Sequence, residues 1–178
     1  MRRDLAQAGA ALAAGDFATT ATLLSEPVLG DADSPATADH LRLARCVALL
    51  GAGRAAEAAA AFGAVAASRR AAPGFQRVLA ALHASRNELE AAEAVLSGLL
   101  QKKQEAVRPL RTAIHARQGL AALAAKDEAR AGERLRLAAS EGLADEPLRA
   151  AAALGRLAVA LGRQDVNEAS ALLDAEPG

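Results

Sequence analysis

Five times along the chain a short break is followed by a small residue and then by larger apolar residues at spacings of four and three. The stretches are LAAGDFATTATLL (12–24), GRAAEAAAAFGAV (53–65), NELEAAEAVLSGL (87–99), KDEARAGERLRLA (126–138) and QDVNEASALL (164–173). The small residue falls at Thr20, Ala58, Ala92, Ala131 and Ala169, with separations of 38, 34, 39 and 38 residues. A near-constant period of this size marks a helical repeat array, whose units bury their apolar faces by stacking on one another.

Composition says what such an array must be made of. Alanine supplies 52 of 178 residues, Trp and Tyr are absent, and Phe17, Phe62 and Phe75 are the three aromatics. Alanine is the best helix former and a poor strand former, so the chain reads as all-helical. Alanine also brings little area to a core. Cohesion must come from close backbone approach, with leucines filling the remaining gaps.

Each copy has a second helical stretch ahead of its break, as in ATADHLRLARCVALLGAG (36–53), GFQRVLAALHAS (74–85) and VRPLRTAIHARQGLAALAAKD (107–127). Ten helices are expected, at 3–14, 17–25, 36–52, 55–69, 74–85, 88–103, 105–125, 128–140, 146–162 and 166–174. SEPVLGDADSP (25–35) reads as the clearest long loop. Ser34, Asp39 and Asp145 are candidate N-caps, and Pro109 sits in the first turn of a helix or kinks it.

These stretches resemble the tetratricopeptide repeat family over nearly the whole chain, as five degenerate copies. The best pieces are Gly15-Asp16-Phe17, Ala58 with Phe62, Ala92 with Leu96, and Gly119 with Ala131 and Leu135. Ala8, Cys46, Ala80 and Gly119 fall where the family places a small first-helix residue, whereas Leu157 does not. The family's tryptophan, tyrosine and closing proline are missing, and three of the four periods exceed its usual 34 residues. A plain bundle of five helix pairs stays open beside this resemblance.

The resemblance implies an all-α, right-handed α-α superhelix of about five antiparallel helix pairs, forming one domain over residues 1–178. Its concave side would be lined by first helices. Placed on this sequence, the lining is Leu43, Val47 and Leu50, then Arg77, Ala81 and Ala84, then Ala116, Leu120 and Leu123, then Leu154, Ala158 and Leu161. This face is largely apolar and suits a peptide or amphipathic helix of another protein. A second copy of the chain filling it, as a homodimer, is the alternative. The family's carboxylate clamp is not expected, because Asn87 and Asn167 fall off this face and lysine is nearly absent.

Chemistry leaves few marks. His40, His83 and His115 form no H-x-x-x-H pair, and Cys46 is the lone cysteine, so neither metal-ligand spacing nor a disulfide is present. Cys46 reads as an inert buried thiol and His83 as a core or seam histidine. His115 stands between Arg111 and Arg117 in sequence, which would oppose its protonation. GAG (51–53) lacks the preceding strand and following lysine of a phosphate loop and reads as a helix-pair turn.

Formal net charge is zero, with acidic and basic residues interspersed, so no nucleic-acid partner is expected. Arg69-Arg70 and Lys102-Lys103 read as caps on helix ends. Arginine outnumbers lysine 18 to 3, which a GC-rich, bacterial genome would explain.

No window carries the roughly 18 unbroken apolar residues of a membrane span. The start, MRRDLAQAGAALAAG, mimics a signal peptide, but Asp4 and Gln7 interrupt it and it reads as a first helix. The cytoplasm is then the default compartment, with the periplasm still open. The expected function is a non-enzymatic protein-interaction module, a scaffold, adaptor or assembly chaperone, with no cofactor or metal. A self-associating structural protein and a regulatory domain of a larger enzyme are the alternatives.

Overall fold

A computed structural model describes residues 2–30, 32, 34–101 and 105–175. Among them every regular element is helical. In chain order these are α1 (Arg2–Ala13), α2 (Phe17–Leu23), α3 (Glu26–Gly30), α4 (Pro35–Gly51), α5 (Ala55–Gly63) and α6 (Ala67–Arg70). They continue with α7 (Pro73–Ser85), α8 (Leu89–Gln101), a 3₁₀ turn (Glu105–Val107), α9 (Arg108–Ala124), α10 (Glu128–Glu141), α11 (Glu146–Gly162) and α12 (Val166–Ala175). The chain divides into two compact units, Met1–Leu99 and Leu100–Gly178. The first holds the hairpins α1/α2, α4/α5 and α7/α8. The second holds α9/α10 and α11/α12.

One turn builds all five hairpins. A residue with positive φ ends each first helix: Gly15 (74°), Gly53 (74°), Asn87 (62°), Lys126 (61°) and Gln164 (57°). The next residue sends its backbone N–H back to the carbonyl five positions earlier. The bonds are Asp16 to Ala11 (2.9 Å), Arg54 to Leu49 (2.8 Å), and Glu88 to His83, Asp127 to Ala122 and Asp165 to Ala160 (2.9 Å each). This is the closing bond of a Schellman-type helix end, and it spends a carbonyl that would otherwise be orphaned.

That same residue then caps the second helix. Its carbonyl accepts from the residue four further on, namely Thr20, Ala58, Ala92, Ala131 and Ala169. These are the five residues that set the sequence period, and all are buried. Asp16, Asp127 and Asp165 add a side-chain cap, accepting from the amides of Thr19 (3.0 Å), Arg130 (3.1 Å) and Glu168 (3.0 Å).

Small residues then let paired helices close up. In α4/α5 the Cys46 thiol lies 3.4 Å from the Ala58 carbonyl oxygen, and both residues are fully buried. In α9/α10 a Cβ placed on Gly119 would sit 2.6 Å from Leu135 Cγ and 3.1 Å from its backbone nitrogen. The core of the first unit gathers Ala21, Cys46, Leu49, Ala58, Phe62, Val65, Phe75, Val78 and Leu82. The second unit packs Ala116, Leu135, Ala138, Leu143 and Ala152 together, beside a smaller group of Ala122, Ala131 and Val159.

Four expectations change. The segment 25–35 is not a plain loop. Glu26–Gly30 is helical because Leu29 buries to 1% exposure and Glu26 pairs with Arg45 at 2.5 Å. The helix expected over 55–69 breaks after Gly63. Arg70 folds back to donate to the carbonyls of Gly63 (2.7 Å) and Val65 (3.0 Å), and the Ala66 amide faces Asp39 Oδ1 at 3.5 Å. Asp39 is therefore not an N-cap but a buried strut, also 3.3 Å from Arg42. Ser34 does cap α4, through the Thr37 amide (3.1 Å). Pro109 lies in the first turn of α9, as expected, so that helix begins at Arg108 rather than at 105. Asp145 caps α11 through the Leu148 amide at 2.9 Å. The Lys102-Lys103 helix end falls outside the described residues.

Two substitutions test these seams. Gly→Ala inside a helix ordinarily gains about 1 kcal/mol. At Gly98, where the space is open, the gain is expected. At Gly119 the clash with Leu135, its Cγ first and its backbone nitrogen close behind, costs about 1–3 kcal/mol, so Gly119→Ala destabilises on balance. Thermal denaturation of both variants reads the difference in sign. At the turn, Lys126→Gly relieves a left-handed backbone costing about 1–2 kcal/mol and should raise the melting temperature.

Candidate functional site

Cys46, His40 and His83 each have a structural contact. Cys46 is fully buried, and burial pushes its thiol up to about 11 despite the nearby Arg45 charge. It is the inert seam thiol the sequence suggested. His40 Nδ1 lies 2.8 Å from the Ala36 carbonyl oxygen, and its ring meets Phe75 edge-on at 5.8 Å. His83 is half-buried rather than in the core, held across the α7/α8 turn at 2.6 Å from Glu88 Oε2.

His115 differs from its sequence environment. Its ring nitrogen faces Glu141 of α10, 3.9 Å away, while Arg117 is exposed. Glu141 also accepts from the Thr112 hydroxyl at 3.0 Å and pairs with Arg111. Burial raises the Glu141 pKa. The hydrogen bonds from Arg111 and Thr112, with the charges of Arg111 and His115, outweigh that and hold it below its ordinary 4.5. Thr112 and His115 are themselves buried, so the cluster ties the last turn of α10 to the first half of α9. Among the described residues no group of three or more His, Cys, Asp and Glu is placed to hold a metal. Among them, too, no helix is long and apolar enough to cross a membrane.

The expected lining residues divide by environment. Leu43 and Leu50 are half-buried on the core of the first unit, and Leu43 reaches toward Gly74 of α7, 3.9 Å from where its Cβ would stand. Leu120 and Leu123 are half-buried between α9 and α11, 3.1 and 3.7 Å from the Cβ position of Gly155. Ala84 and Ala116 are buried and Ala81 is intermediate. Arg77 is exposed, and Val47 is 40% exposed.

Leu154 and Leu161 stand apart at 67% and 62% exposure. With exposed Ala158 they make a strip at i, i+4 and i+7 along α11. Val166 (74%) and Leu173 (63%) continue it on α12. Four of the five large apolar side chains that the described residues expose thus lie on this one hairpin. Sequence reading found Leu154 and Leu161 but missed Val166 and Leu173, which lie on a second helix. Their place in the repeat gave no such signal, since the residues equivalent to Leu173 in the other four hairpins are buried.

Beside the strip lies a groove of about 640 Å³, with Leu143, Ala150, Ala153, Leu157, Leu172 and Leu173 among its walls. Arg149 is fixed at its rim by the Leu143 carbonyl (2.9 Å). A second hollow of about 260 Å³, between α10, α11 and α12, is polar and contains Arg136, Arg156, Arg163, Glu133 and Glu168. No family model, curated protein or solved structure matches the chain.

The Glu141 cluster makes a pH-dependent prediction. A carboxylate whose folded pKa is depressed stabilises the fold above its unfolded value, and that stabilisation is lost as pH falls through the folded value. Glu141→Gln should therefore cost roughly 1–3 kcal/mol at neutral pH. The difference from wild type should shrink once the pH drops well below 4.5. Urea titrations at pH 7 and pH 3 measure both.

Proposed function

We propose that the chain is a non-enzymatic protein-interaction module of the tetratricopeptide-repeat kind, which accepts an apolar helical segment of another polypeptide. The exposed strip of Leu154, Ala158 and Leu161, extended by Val166 and Leu173, carries this reading. A contiguous apolar edge on an otherwise charged surface marks a contact surface. Its i, i+4, i+7 spacing matches the stripe of an amphipathic helix. The groove beside it offers room for larger side chains from the same partner.

Selection of amphipathic helices from a displayed library on the wild-type protein tests the reading. Burying one leucine is worth about 1.5–3 kcal/mol. Binders should therefore lose about tenfold or more in affinity to Leu154→Glu or Leu161→Glu. Both side chains are exposed, so far-UV circular dichroism should not change. Binders that hold both variants as tightly as wild type, or a library that yields none, would contradict it.

A further inference from the structure

The five turns give every hairpin the same ruler, counted from the residue that closes the turn: 16, 54, 88, 127 and 165. The residue eight positions after it is Leu24, Phe62, Leu96, Leu135 and Leu173. The first four are 3%, 6%, 0% and 0% exposed, whereas Leu173 is 63% exposed.

The second unit shows how one such leucine is covered. Leu135 reaches α11 and stands 3.0 Å from the Cβ position of Gly155, ten residues before its own turn, with Leu120 and Leu123 of α9 beside it. The residue just after the turn repeats the pattern. Phe17 packs on Gly51 in the first unit, its ring 2.5 Å from the glycine's Cβ position. Glu128 lies 2.9 Å from that of Gly162 in the second. Both glycines sit three residues before their own turn.

In these three contacts a hairpin offers its neighbour a larger side chain, and the neighbour's first helix receives it on a glycine, at minus ten (Gly155) or at minus three (Gly51 and Gly162). At the last hairpin the donors Leu161, Val166 and Leu173 are present and uncovered. On α1 the same two positions hold alanines, one methyl larger than the glycines, and lie uncovered: Ala6 at minus ten and Ala13 at minus three, with Gly9 and Ala10 between them, all exposed.

We infer that α1 of a second copy of this chain docks on α11 and α12, continuing the hairpin-to-hairpin contact from one molecule into the next. This rests on the binding reading above and names the partner. The contact is head-to-tail, so it leaves a free donor edge and a free receiver edge and builds rings or filaments rather than a two-fold dimer.

Sedimentation equilibrium across micromolar to millimolar concentration tests it with two surface variants. Wild type should show a mass that rises above the 18.0 kDa chain. Leu173→Glu spoils the donor edge and Ala13→Glu the receiver edge, so each alone should stay monomeric with unchanged helicity. Mixed in equal amounts, they retain one good edge each and should form a dimer that grows no further. A wild type that is monomeric throughout, a two-fold dimer indifferent to Ala13→Glu, or a mixture that stays monomeric would overturn the inference. If wild type is monomeric yet selected helices still bind and are lost on Leu154→Glu, the second copy is ruled out and the binding reading stands. If neither occurs, both fall.

Discussion

A single backbone hydrogen bond, made five times, organises the chain. It runs from the residue that opens each second helix to a carbonyl in the last turn of the first, across a residue with positive φ. The bond fixes where one helix ends and the next begins, and so fixes the register of every side chain that follows. The residue four positions on is always small or hydroxylated and always buried. It sits on the inner face of the hairpin because the turn puts it there. Alanine can fill that position because the two backbones are already close.

Closeness is also what makes an alanine-rich core cohere. Alanine buries little area, so its contribution depends on what its absent atoms let approach. Gly119 lets Leu135 lie against the α9 backbone, and Gly155 lets the same leucine reach α11. One side chain thereby joins two hairpins of the second unit. The same economy explains the exposed edge of α11 and α12. Leucines at positions that wedge between hairpins elsewhere remain in solvent here. The α11/α12 hairpin presents Leu154, Leu161, Val166 and Leu173 to solvent together.

The helical class, the five-fold period and most helix bounds were legible in the sequence, because alanine content and the spacing of four and three leave little else for the chain to do. Two of the turns announce themselves through Gly15 and Gly53. The other three place Asn87, Lys126 and Gln164 in the left-handed region, and nothing local in Lys126 or Gln164 says so. The break of 55–69 depends on Asp39, which lies 27 residues from Ala66. Likewise, the contact of His115 with Glu141 joins residues on different helices, which spacing along α9 does not reveal. For the lining residues, helical spacing grouped Leu123 with Leu161, each four residues before the residue that closes its turn. It could not say that one had a neighbour and the other did not, since exposure depends on what packs outside the helix.

Hydrogen exchange at the five turn-closing amides, Asp16, Arg54, Glu88, Asp127 and Asp165, measures the organising bond itself. Each should exchange as slowly as the helix amides of its own hairpin, the three with non-glycine turns included. Exchange at free-peptide rates at these five positions, with the flanking helices still protected, would mean that the turns do not hold the hairpins together and that the shared ruler is an accident of spacing.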